Sequence, residues 1–369
     1  MRGAMKHLGK FVILLLGAIN LLFTVIMLCT AYSPYIQPVE HPVLSCLGLA
    51  FPVFLLLNVG FLLFWLIIQQ YKCALLPLVG FLLCIPQIQT YCPVNFGADD
   101  LPEENLKLVS YNIMGFGDQT SGKGMDNPVL NYLKDSDADI LCLQEYATKK
   151  TSRHPSQRDV DKALAAYPYH RTDAVGKGKL NVMACYSKLP ILSAKPLDYA
   201  SSSNGSMVYE LAWGADTLLV ISNHLESNKL TREDKETYED MLNDPEKEKV
   251  KSGVRLLLHK LAEASAIRAP QADAVAREIA RSPHRYIVAC GDFNDSPISY
   301  AHRVISGQME DAFVESGCGL GISYHRNKFY FRIDHILNSP DLKAYDSKVD
   351  RRIKASDHYP IECRIARER

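Results

Sequence analysis

A chain of 369 residues that is 47% hydrophobic and 22% charged is too apolar to be disordered, and ten cysteines over that length do not make a small disulfide scaffold. The net charge of zero hides two unlike parts: residues 1–94 hold four basic side chains and one acidic, the other 275 hold 37 basic and 40 acidic. A part that nets −3 argues against a strongly basic nucleic-acid binder.

The first part reads as membrane. Phe11 to Ala31 is apolar except for Asn20, Thr24 and Thr30, close to the ~20 residues a helix needs to cross the hydrocarbon core. Val43 to Ile68 carries no charge, and Ala74 to Ile88 is shorter and interrupted by Pro77 and Pro86. A helix packed against two neighbours tolerates such prolines; a re-entrant segment is the alternative. The expectation is an anchor over 1–94 with three transmembrane helices at about 11–31, 43–68 and 73–90, a linker over 95–105 and one domain over 106–369. A cleaved signal peptide fits Arg2, Lys6 and Lys10 but not the long run after them or the further hydrophobic segments.

Basic residues in short loops set orientation. Three precede the first span, none lies in Tyr32–Pro42, Lys72 lies in the second short loop, and Asp99, Asp100, Glu103 and Glu104 follow the third span. That pattern predicts a multi-pass membrane protein with its N-terminus inside and its large domain on the extracytoplasmic side. Cys142, Cys185, Cys290 and Cys363 sit in apolar runs without paired spacing, as buried small hydrophobes do, which leans the other way.

From Leu106 onward strand-like and helix-like pieces alternate. LKLVSYN, DILCLQE, NVMACYS, DTLLVISNH, YIVACGD, RIDHILN and YPIECRI are short apolar or β-branched runs bounded by polar residues. Asn127-Pro128 is a cap and first-turn pair for a helix carrying Val129, Leu130 and Leu133. Lys229 to Arg281 reads as a charged helical region with Val254, Leu257, Leu258 and Leu261 on one face and a break or kink at Pro270. The charge run Glu233 to Lys251 reads as a solvated face. Such alternation implies a layered α/β domain.

Polar residues gather at the strand ends: Asn112, Gln144-Glu145, Asn223-His224, Asp292 and Asn294, with Asp334 and Asp357-His358 nearer the C-terminus. Carboxylates, amides and histidines without cysteine make an oxygen-rich site for a hard cation, Mg²⁺ or Mn²⁺ rather than Zn²⁺. Such a site suits phosphoryl chemistry, in which the metal neutralises phosphate oxygens and a carboxylate deprotonates water. Gly117-x₄-Gly122-Lys123 mimics a phosphate-binding loop, but Gly124 stands where the metal-binding hydroxyl belongs.

In their order, VSYN, LCLQE, NHLES, GDFND, RIDHI and SDHYP resemble the endonuclease/exonuclease/phosphatase superfamily from about Leu106 to Ile365. Its members include deoxyribonuclease I, abasic-site endonucleases, neutral sphingomyelinases, inositol polyphosphate 5-phosphatases and tyrosyl-DNA phosphodiesterases. The resemblance implies a four-layer α/β sandwich, two facing mixed sheets flanked by helices. It implies Glu145 as principal metal ligand, with Asp357 and Asn112 near the metal, and Asn112 also near the phosphate. His224 falls at a phosphate-contacting position and Ser227 is a lesser contact. Asp292 falls where the attacking water is oriented or deprotonated, Asn294 where the nucleophile is held, and His358 on the scissile phosphate, oriented by Asp334. Met114 departs from the acidic residue of the abasic-site nucleases, which puts a second metal in doubt. The implied activity is a membrane-anchored, metal-dependent phosphoesterase that hydrolyses phosphodiesters by activated water. A lipid or small-molecule substrate competes with nucleic acid: the anchor and the domain charge favour the former, NHLES the tyrosyl-DNA phosphodiesterases. A catalytically inactive phosphate-binding module is the alternative of another class. No protein partner is inferred.

Overall fold

The computed structural model describes residues 2–97, 100–117, 126–148, 154–179, 181–231, 233–234, 236, 238, 247–326 and 328–368. The residues of the phosphate-loop mimic from 118 to 125, and most of the charge run from Glu233 to Lys251, lie outside the described residues.

The apolar first quarter forms a bundle of α1 (Arg2–Ala31), a short α2 (Pro42–Ser45), α3 (Phe51–Ile67), α4 (Tyr71–Leu83) and α5 (Ile85–Tyr91). Gly9–Ala31 and Pro42–Ile67 are each long and apolar enough to cross a membrane. The third hydrophobic stretch differs from the single helix expected over 73–90: α4 and α5 meet at a bend of 67°, where Pro86 has no amide hydrogen to continue the ladder. Even so, the stretch reaches the end of the bundle where α1 stops. Tyr32 Oη donates to the Leu83 carbonyl at 2.8 Å, and the Tyr91 ring lies 6.0 Å from that of Phe51, at the start of α3.

Inside the bundle Asn20, Thr24, Asn58 and Trp65 pair with one another, as a low-dielectric interior demands. Thr24 Oγ1 donates to Asn58 Oδ1 at 2.7 Å, Trp65 Nε1 donates to Asn20 Oδ1 at 2.9 Å, and Asn58 Nδ2 donates to the Phe54 carbonyl at 2.8 Å. This network ties α1 to α3 at mid-length.

Twelve strands follow in two six-stranded sheets, among the described residues. The first has the order β11-β12-β1-β2-β4-β3 and the second β5-β6-β7-β8-β10-β9. The first contains β1 (Leu106–Asn112), β2 (Ile140–Gln144), β3 (Tyr169–Val175), β4 (Asn181–Ser187), β11 (Leu342–Val349) and β12 (Ile361–Arg367). The second contains β5 (Ile191–Pro196), β6 (Gly205–Trp213), β7 (Asp216–His224), β8 (Tyr286–Asp292), β9 (Glu310–Asp311) and β10 (Asp334–Asn338).

Central strands bury both faces, which is why they read as nearly unbroken apolar runs. On β1, Leu106 and Leu108 point into the core between the sheets, where Cys142, Cys185, Cys290 and Cys363 also lie. Val109 and Tyr111 point outward against α6 (Pro128–Asp135) and α7 (Gln157–Ala163). The second sheet is covered by α8 (Lys247–Arg281) and α9 (Tyr300–Ser306), with Ala272 and Val275 of α8 on Ile221 and Ala289, while the short α10 (Ala312–Ser316) packs against β11 with Ala312 in the core between the sheets. The result is a four-layer α/β/β/α sandwich. The Asn127 side chain accepts from the Leu130 N–H at 3.0 Å, so the expected cap is in place.

Two expectations for the long helix are corrected. Pro270 does not break it: α8 runs as one helix of 35 residues, held across the proline by buried Ala269, Gln271 and Ala272. Val254 is not on the buried face with Leu257; it is 48% exposed.

The sandwich docks on the end of the bundle where α1 stops, α3 starts and α5 ends. Ile298 shares an apolar cluster with Met27, Ala31, Phe51 and Cys84. Gly48 lies so near that an added Cβ would sit 2.1 Å from the Ile298 carbonyl oxygen. Arg303 Nε donates to the Pro34 carbonyl at 2.8 Å, and Asn95 Nδ2 donates to the carbonyls of Val314 and Gly317 at 2.9 and 2.7 Å. A further bond from Arg332 reaches the Thr90 carbonyl.

Candidate active site

Strand register assembles the site. Parallel pairing of β7 with β8 sets His224 beside Asp292, and antiparallel pairing of β8 with β10 sets Asp292 beside Asp334. Three functional side chains therefore stand in one row across neighbouring strands, about 4.8 Å apart in the hydrogen-bonding direction. In the facing sheet, β1 and β2 are parallel and bring Asn112 level with Gln144, so Glu145 follows at the same edge. The Ser356–His358 segment precedes β12, which pairs with β1. Ser356 Oγ donates to the Asn112 carbonyl at 2.7 Å and accepts from the His358 N–H at 3.2 Å, holding that segment over the cleft.

Asp292 is the hub. It is 1% exposed, accepts from the Asn294 N–H at 2.8 Å and from Asn112 Nδ2 at 3.1 Å, and lies 3.6 Å from His358 Nε2 and 3.7 Å from His224 Nε2. Burial raises its pKa, opposed by the His358 charge and assisted by Asp334. A carboxylate held in this way is a stronger base than an exposed one. His358 Nδ1 donates to Asp334 Oδ2 at 2.8 Å. Burial alone would lower the His358 pKa, but the Asp334 and Asp292 carboxylates outweigh it and push it up to about 10. Those carboxylates favour the charged form of the ring, whose Nε2 lies 3.6 Å from Asp292 Oδ2.

Glu145, with a side chain 40% exposed, lies on the other side, 3.7 Å from His224 Nε2 and 3.2 Å from Asn112 Nδ2. Both Glu145 and Asn294 hold left-handed backbone conformations, φ +53 each, a local strain that concentrates at functional sites. Ser227 and half-buried Asp357 line the same cavity as Glu145, His224, Asp292, Asn294 and His358. All nine residues singled out in the sequence thus converge. Asn112 accepts through its amide oxygen from the Met114 N–H at 3.2 Å, and its nitrogen faces Glu145 and Asp292. It spaces the two carboxylates.

Sequence reading missed Asn181 and Tyr324. Asn181 Nδ2 lies 3.1 Å from His224 Nδ1, which leaves Nε2 of that ring to face the carboxylates. It opens β4, whose start lies beside the end of β2 only because the two strands are antiparallel. The Tyr324 ring stands edge-on to His358, centroids 5.1 Å apart, on a loop with no motif.

The donor set suits a hard divalent cation. Glu145 and Asp357 offer carboxylate oxygens at the cavity wall, the one thiol lining the cavity among the described residues, Cys46, belongs to the bundle wall, and the excess of carboxylates over imidazoles leaves negative charge to neutralise. Asp292, Asp334 and His358 form a second possible chelating group, with ligand atoms within 4.8 Å of one another. The Asp334–His358 bond uses two of those atoms, so we read that group as an oriented acid–base set.

A profile of the Endonuclease/Exonuclease/phosphatase family matches residues 109–358, and a domain of unknown function matches residues 10–91. No curated protein sequence matches the chain. Truncated Caenorhabditis elegans TDP2 is similar at 18% identity and TM-score 0.48, over 72% of this chain and 99% of that one. D. rerio TDP2 complexed with single-strand DNA product is similar at 16% identity and TM-score 0.49, over 72% and 100%. An endonuclease/exonuclease/phosphatase from Beutenbergia cavernae is similar at 15% identity and TM-score 0.48, over 72% of each chain.

Proposed function

The chain belongs to the endonuclease/exonuclease/phosphatase family, and from that premise we propose that it is a membrane-anchored, divalent-metal-dependent hydrolase of phosphodiester bonds. The observation that carries the reading is the row His224–Asp292–Asp334, with His358 locked to Asp334 and the Glu145 carboxylate opposite.

Each group has a task that its environment suits. Asp292 takes a proton from the attacking water, whose oxygen bonds to phosphorus as the bond to the leaving oxygen breaks; the departing alkoxide takes up a proton from solvent. Nε2–H groups of His358 and His224 donate to the non-bridging phosphoryl oxygens, where negative charge builds up. Asp334 is a positioning residue that fixes the His358 ring and its charge. Asn294 and Ser227 border the space in front of Asp292. Mg²⁺ or Mn²⁺ held by Glu145 and Asp357 would neutralise phosphate charge.

The bundle supports the membrane part of this reading: α1 and the span from Pro42 to Ile67 suffice to cross. The sandwich meets the bundle end opposite the N-terminus, so an inside N-terminus puts the catalytic domain outside. The NHLES segment favours a nuclease of the tyrosyl-DNA phosphodiesterase kind as a second reading.

Full-length protein in detergent is expected to hydrolyse bis(4-nitrophenyl) phosphate only with Mg²⁺ or Mn²⁺, and to lose and regain that activity with EDTA and excess metal. Turnover insensitive to EDTA rules out the metal assignment.

A further inference from the structure

The active-site cavity extends well beyond the catalytic cluster. It has a volume of about 440 Å³, within the range that encloses a sizeable organic ligand. One wall is Glu145, Asp292 and His358. Another is Ser45, Cys46 and Leu49, which belong to the apolar span from Pro42 to Ile67. Between these walls, Leu257 and Leu261 come from α8, Ile298 from the loop before α9, and Phe329 and Phe331 from the loop before β10. The cavity is polar where phosphorus would react, and toward the bundle Leu49, Leu257, Leu261 and Ile298 line it together with the small polar side chains of Ser45, Cys46 and Ser265.

A neighbouring feature points the same way. Lys251, Arg255 and His259 recur at four-residue spacing along α8 and are exposed, beside the exposed Val254 and Leu256. They border a second groove together with Val43, in the first turn of the second span. Cationic and apolar side chains alternating at the start of a membrane span match the headgroup level of a bilayer with anionic lipids.

We propose that the phosphodiester substrate is a membrane lipid, its headgroup phosphate at Asp292 and His358 and its hydrocarbon between the Leu257/Leu261 face of α8 and Leu49 of the bundle. This rests on the phosphodiesterase reading and adds the substrate class. Hydrolysis then gives an alcohol and a phosphomonoester, one of which keeps the hydrocarbon. The part of the lipid nearest the phosphate leaves the bilayer along the bundle wall, and the rest of its chains stay among the lipids.

The test uses full-length protein with Mg²⁺ and a series of glycerophosphodiesters of one headgroup, with acyl chains of two to eight carbons, each below its micelle concentration. Burial of each methylene contributes roughly threefold to fourfold, so kcat/KM should rise at least about tenfold along the series. Leu261→Trp, which fills the apolar part of the cavity, should flatten that rise; the wild-type series stands on its own if the variant does not fold. A flat wild-type series, or a single-stranded oligonucleotide cleaved with higher kcat/KM than the eight-carbon lipid, overturns the lipid assignment. Bis(4-nitrophenyl) phosphate in parallel separates the two levels: its hydrolysis alongside a flat series removes only the lipid, whereas failure on every diester removes the phosphodiesterase reading as well.

Discussion

At the scale of single residues, the arrangement makes Asp292 the group whose loss affects the transition state most. Asp292→Asn keeps the shape and one of the two accepted bonds, from the Asn294 N–H or from Asn112 Nδ2, but removes the base. It should lower kcat by roughly 10²–10⁴-fold, with a much smaller change in KM. His358→Ala should fall in a similar range. Asp334 touches no reacting atom and works through the 2.8 Å bond to His358 Nδ1, so the Asp334→Ala/His358→Ala double variant should be about as slow as His358→Ala alone. Losses that multiply in steady-state kinetics would show that Asp334 acts independently of the ring.

At the scale of elements, the site depends on the close approach of β7 and β8, and Gly291 allows it. With φ at +127, a Cβ there would meet the Asn223 carbonyl oxygen at 2.0 Å, one register step from the His224–Asp292 pair. Gly291→Ala should destabilise the protein by roughly 1–3 kcal/mol and lower activity, because the strands must part at the catalytic row. A thermal midpoint within a degree of wild type would show that the strands adjust without strain. The seven strands legible in the sequence are mostly central ones, whose two buried faces demand apolar runs. Four of those missed, β3, β5, β9 and β11, are the sheet edges. Edge strands face water and carry polar residues, as YHRTDAV in β3 does. The fifth, β6, is buried, but Ser206 and Glu210 interrupt its apolar pattern. Motif order brought out the candidate site residues: Asn112, Glu145, His224 and Asp292 sit where strands stop, while Asp334 opens β10 and His358 precedes β12. Asn181 opens β4 outside those motifs, and only the pairing of β4 with β2 brings it to the site.

At the scale of the whole molecule, topology follows from where the sandwich docks. The N-terminal tail and the Ile68–Gln70 turn lie at the bundle end away from the catalytic domain, and Tyr32, Phe51 and Tyr91 lie at the near end. On the proposed orientation, in which three basic residues hold the tail inside, a reporter active only outside the cytoplasm should work when fused after Arg369 and stay silent when fused after Tyr71. Silence after Arg369 from a stably expressed fusion would reverse the sidedness. The bend between α4 and α5 does not alter this expectation, because Leu83 has already reached the level of Tyr32 before the chain turns.

The four thiols between the sheets, Cys142, Cys185, Cys290 and Cys363, are free and buried, while Cys29 and Cys318 are exposed. They come from β2, β4 and β12 of the first sheet and β8 of the second, none of them a sheet edge, so no single fraying edge uncovers them all. Their alkylation rate is therefore a clock for separation of the two sheets. If the sandwich opens as one cooperative unit, the four should be modified at a common rate that tracks the global unfolding equilibrium, long after the exposed Cys318 of the sandwich has reacted.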